Sequence, residues 1–164
     1  MRFTTLLILA VIAGPSWAQE QSDAARVVQL VAALESDPLG ADSAQQREWL
    51  LRWVTETPDY TVVLCDILGP IPKTADVPYG HELLLQHMFG NVAFQISNPG
   101  TSDPARPHIA GIESLLRAYS AIVKQQPVAR IPYFDELLAL QRNGRLAEHM
   151  RPIVTAKCTD AVQA

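Results

Sequence analysis

Between Pro107 and Gln126 the apolar residues Ile109, Ile112, Leu116, Tyr119 and Val123 step by three, four, three and four, and Leu115 and Ile122 widen the stripe. Only a helix of 3.6 residues per turn puts such positions on one side, and a stripe of that width must be buried against neighbours. Glu113 and Arg117, four apart on another face, have the spacing of a favourable ion pair. The same period recurs along the chain, and prolines separate one instance from the next.

Val27, Leu30, Val31 and Leu34 form one helical stripe, stopped by Ser36-Asp37-Pro38. Ser43 with Gln46 three residues on reads as a capping box ahead of Trp49, Leu50, Trp53 and Val54. Thr57-Pro58-Asp59 is a further start signal, so residues 60–68 are expected to be helical, with a strand as the alternative on the β-branched run Thr61-Val62-Val63. Residues 78–97 carry a stripe of Leu84, Leu85, Met88, Phe89, Val92 and Ile96, with Leu83 and Phe94 opposite, the pattern of a central helix packed on two sides. Two shorter helices follow Pro132 and Arg145; Asn143-Gly144 separates them, and Pro152 sits in the middle of the second. No segment makes a credible sheet. The expected fold is all-α, about seven helices packed as antiparallel hairpins in a compact bundle or short helical array.

The first residues carry an address. Arg2 supplies a positive head, Leu6 to Ala13 an apolar run, and Ser16-Trp17-Ala18 a small-x-small box. This is the order of a signal peptide over residues 1–18, cleaved between Ala18 and Gln19 to leave one helical domain over 19–164 in a secreted or periplasmic location. The apolar run is about half the roughly 20 residues that a membrane-crossing helix needs, so no stable membrane span is expected after cleavage.

An exported chain with two cysteines points to one disulfide, Cys65 to Cys158. The net charge of −4 argues against nucleic acid as a partner, which would need clustered Lys and Arg to neutralise phosphate. Acids dominate residues 19–104 and bases 105–164, a polarity that suits two halves of one fold.

Catalytic signatures are sparse. His81 and His87 are six apart, about 240° around a helix, and Leu85 holds the place where a zinc-peptidase helix needs its second histidine. His81, His87, His108 and His149 remain as candidate metal ligands only if folding gathers them. His81 is expected to be hydrogen-bonded at the core edge or to fray in the first turn of its helix, His87 to lie on a polar side beside Asn91, and His108 and His149 to face solvent. Gly-x-Ser-x-Gly, Cys-x-x-Cys and phosphate-cradling glycine loops are absent, and no cofactor is expected. Gly90 and Gly111 stand singly inside helices, where they suit a close helix approach. Trp49 and Trp53, four apart, make an aromatic ridge that is core or, where exposed, a partner surface.

Tyr119, Ile122 and Pro127, followed by Gly144, Leu146 and Met150, resemble the hairpin cadence of a tetratricopeptide repeat over about residues 115–150. Ile122 and His149 stand where that family has alanine. The resemblance implies stacked antiparallel helix pairs and leaves repeat-type peptide binding open. The wider cadence is similar to that of small secreted bacterial α-helical proteins. The leading functional expectation is a non-catalytic secreted or periplasmic protein that binds a peptide or protein partner. The alternatives are an enzyme with a folded-together histidine and carboxylate site, or a bundle that encloses an apolar small ligand.

Overall fold

The computed structural model describes residues 16–71 and 76–158, with side chains from Asp23 onward. The apolar leader lies outside these residues, and the expected cleavage site falls where side chains are not described. Among the described residues there are six α-helices: α1 (Ser16–Ser36), α2 (Ser43–Glu56), α3 (Gly80–Ser97), α4 (Ala105–Gln125), α5 (Pro132–Arg142) and α6 (Leu146–Cys158). A 3₁₀ turn, Pro127–Ala129, joins α4 to α5. Among the described residues there is no strand, and no helix is long and apolar enough to cross a membrane.

Antiparallel α3 and α4 form the central pair. Their closeness is a property of two glycines. A Cβ on Gly90 would lie 2.2 Å from the Ser114 Cβ, and one on Gly111 would lie 2.5 Å from the His87 carbonyl oxygen. Any larger residue at either place would drive the helices apart. On one side of this pair α1 and α2 pack Val27, Val31, Leu34 and Leu50 against Leu85, Phe89 and Val92 of α3. On the other, α5 and α6 pack Phe134, Leu137, Met150 and Val154 against Ile109, Ile112, Leu116 and Tyr119 of α4. Leu83 of α3 joins this second core, so α3 is buried on two sides, as its double stripe implies. Full burial of each such side chain is worth about 1.5–3 kcal/mol.

Helix ends follow local chemistry, not always the expected one. Gly144 takes φ +68° after α5; the Arg145 N–H bonds the Leu140 carbonyl at 2.9 Å and the Gly144 N–H bonds that of Gln141 at 3.1 Å. These two bonds make a Schellman stop. At α2 the expected capping box does not form. Asp42 is the N-cap and makes no side-chain cap bond, while the buried Ser43 hydroxyl instead accepts a bond from Arg47 at 3.3 Å.

The main departure is residues 57–71, which are irregular, with bends and turns, instead of helical. Thr57 precedes proline and adopts φ −71°, ψ 130°, which ends α2. Its hydroxyl accepts the Asp59 N–H at 3.4 Å, a local turn in place of a helix cap. Other elements then satisfy the irregular backbone: Gln95 donates to the Thr61 carbonyl at 3.1 Å, and the Tyr133 hydroxyl to that of Ile67 at 3.1 Å. Ile67, Leu68 and Ile71 are buried in the second core. Tertiary anchoring outweighs the local start signal.

Candidate functional site

Three elements converge near the end of α6. The irregular segment brings Cys65 to Cys158, the last residue of α6, and the two form a disulfide with Cα atoms 5.3 Å apart across 93 residues. His108, from the first turn of α4, places its Nδ1 4.0 Å from the Cys65 sulfur. The donor atoms of Cys65, His108 and Cys158 all lie within 4.8 Å of one another, the one such group of three or more cysteine, histidine or acidic side chains among the described residues.

Beside His108 lies His87 of α3. The two rings stack with centroids 6.4 Å apart and planes 26° from parallel. His87 is wholly buried, and neither ring nitrogen has a hydrogen-bond partner among the described residues. Burial pushes its pKa down to about 3, the nearby His108 imidazole adds to that, and the His108 backbone opposes it. The ring is neutral at any ordinary pH. Burial lowers the His108 pKa as well.

Next to this cluster is an apolar cleft of about 140 Å³, walled by Val63, Pro104, Ala105, Val154, His108 and Cys158. Pockets for drug-sized molecules run from about 300 Å³ upward, so this one suits an ion or a small group.

The histidines therefore divide. His87 and His108 meet, contrary to the polar and solvent-facing positions read from sequence. His81 and His149 are both exposed and join no cluster. His81 lies exposed in the first turn of α3, the second of the two places read for it, and not at the core edge. The helical wheel misleads at His87 because Gln86, His87, Gly90 and Asn91 form a small, polar stripe that normally faces water. Here it faces α4, and Gln86 donates to the Ser114 hydroxyl at 2.9 Å and to the Val31 carbonyl at 3.3 Å. The two single glycines were the available sign that this stripe meets another helix.

Trp49 and Trp53 are partly buried, packed against the α1–α2–α3 core with one side outward. The Arg26 guanidinium lies 4.1 Å from the Trp49 ring centroid, a cation–π contact from α1. Trp53 tilts against Tyr60 with ring centroids 5.8 Å apart. Trp49 walls an open cleft of about 450 Å³ between α1 and α2, whose rim carries Arg26, Arg52, Asp42 and Glu48. Neither Arg26 nor Tyr60 is apparent from the periodicity of α2, because both come from other segments. Compared with protein-family models, curated proteins and solved structures, the chain matches none.

Proposed function

We propose that this is an exported, non-catalytic helical protein that binds a peptide or protein partner in the cleft between α1 and α2. The observation that carries the reading is Trp49: a partly exposed indole, gripped by Arg26, in the wall of an open cleft with charges of both signs on its rim. Tryptophan and arginine are the residue types that most often dominate binding energy. An open, mixed-charge cleft suits a segment of chain better than an enclosed small molecule. The leader pattern and cleavage between Ala18 and Gln19 support export, and the Cys65–Cys158 disulfide is in keeping with an oxidising compartment. The tetratricopeptide-like cadence adds helical-hairpin geometry at α5–α6 but no peptide groove of its own.

Selection of a displayed random-peptide library against the protein tests this. Selected peptides are expected to lose at least tenfold in affinity on Trp49→Ala, and to be indifferent to Val128→Ser at the exposed turn after α4. Failure to select any peptide, or peptides blind to Trp49→Ala, would sink the proposal. The mass of the exported protein reads the cleavage site separately.

A further inference from the structure

We propose that Cys65, Cys158 and His108 form a redox-gated metal site: once the disulfide is reduced, the two sulfurs and the His108 Nδ1 hold one thiophilic d¹⁰ cation, Zn²⁺ or Cu⁺. Thiolate and imidazole donors together select such ions over hard, oxygen-seeking ones.

The spacing is close to what an ion needs. Metal bonds of about 2.3 Å to sulfur and about 2.0–2.1 Å to imidazole nitrogen put tetrahedral S···N pairs about 3.6 Å apart and S···S pairs about 3.8 Å apart. The His108 Nδ1 already stands 4.0 Å from the Cys65 sulfur. The two sulfurs need only turn apart on backbones whose Cα atoms are 5.3 Å from each other. The three donors come from three different elements, so it is the fold and not a local turn that gathers them.

Two further features belong to a built site. His87, wholly buried and without a hydrogen-bond partner among the described residues, stacks on the His108 ring and fixes its plane by packing. The apolar cleft of about 140 Å³ opens on His108 and Cys158, which leaves a route for the ion and room for a fourth ligand.

The chemistry balances. A dithiol reductant gives two electrons and two protons to the Cys65–Cys158 bond, which breaks to two thiols while the reductant becomes a disulfide. The cation then displaces both thiol protons and accepts a lone pair from neutral His108. Two-electron oxidation by a disulfide oxidant remakes the S–S bond and frees the ion, because a disulfide sulfur is a poor ligand.

The test is an anaerobic titration of the full chain, oxidised and phosphine-reduced, with Zn²⁺ in one arm and Cu⁺ in the other against a chromophoric chelator. Helix content is followed by circular dichroism throughout. The reduced chain is expected to take one equivalent of at least one cation and the oxidised chain none, and the arm with the tighter Kd identifies the ion. His108→Ala should weaken binding at least tenfold, and His149→Ala should leave it unchanged. A reduced chain that unfolds would still bind through its two thiols, but then without regard to His108. Affinity that is the same with and without His108, equal in both redox states, or absent in both arms would overturn the proposal. Metal-driven recovery of helix that disappears in His108→Ala would support it.

Discussion

Arg117 of α4 grips Glu35 of α1 through two parallel hydrogen bonds, Nε to Oε2 at 2.6 Å and Nη2 to Oε1 at 2.7 Å. The pairing that spacing suggests, Glu113 with Arg117, is not the bond that forms; Glu113 turns to Arg106 at 3.4 Å. A planar fork on a carboxylate is specific to arginine, and the carboxylate holds the guanidinium pKa above its ordinary value. With the arginine side chain about half exposed, the pair contributes only about 1 kcal/mol. Arg117→Lys, which keeps the charge and loses the fork, should lower unfolding free energy by about half that. Arg117→Met should lower it by the full amount, and added salt should shrink the difference between wild type and Arg117→Met. Urea unfolding at two ionic strengths reads both.

Gly111 and Gly144 should fail on substitution for different reasons. At Gly111 a methyl group meets the His87 carbonyl oxygen, which is backbone and cannot swing aside. Overpacking against an immovable backbone atom, about 2–3 kcal/mol and so in the upper part of the usual range, outweighs the helix-propensity gain of about 1 kcal/mol, so Gly111→Ala should be net destabilising by about 1–2 kcal/mol. At Gly144 nothing lies within 4 Å, but φ is +68°. Gly144→Ala should lose about 1 kcal/mol through backbone strain alone, and Gly144→Asn less. A Gly111→Ala variant as stable as wild type would show that the helices do not meet at this distance.

The disulfide closes a loop of 93 residues, for which chain entropy assigns about 4–5 kcal/mol. Cys65→Ser or Cys158→Ser should lower Tm by about 10 °C in calorimetry. Titration of two thiols in the native protein would contradict the bridge.

Acid sensitivity should trace to His87. Above pH about 6.5 the imidazole is neutral in both folded and unfolded chains and contributes no slope. As pH falls from there towards about 3, only the unfolded chain takes up the proton, because the buried ring resists charging. Stability should therefore fall by about 1.4 kcal/mol per pH unit from this group, and the slope should vanish below about 3. Unfolding free energies at pH 7 and 4.5 check it: His87→Leu should have a shallower acid limb by about one proton. An unchanged limb would mean that the folded protein protonates His87 freely.

Helix identity was legible wherever the apolar period ran long, as at Ile109 to Val123 and Val27 to Leu34, because burial of one face needs no knowledge of the partner. The Asn143-Gly144 stop was legible for the same local reason. Residues 60–68 were not, since the Gln95 and Tyr133 side chains that satisfy that irregular backbone lie far along the chain. The cysteine pair could be named from its count. The histidine beside it could not, because the approach of His108 to Cys65 depends on the path of those same irregular residues.

The placement of α1 against α3 and α4 has a kinetic consequence. Glu35 and Arg117 are 82 residues apart, which at about 5–20 residues per second is roughly 4–16 s of synthesis. Val27, Val31 and Leu34 have no α3 partners until Leu85, Phe89 and Val92 are made, and no complete α3–α4 surface until the end of that interval. The first of the described helices to be made thus waits for its partners, and its apolar face is open to a chaperone for seconds before the fold can claim it.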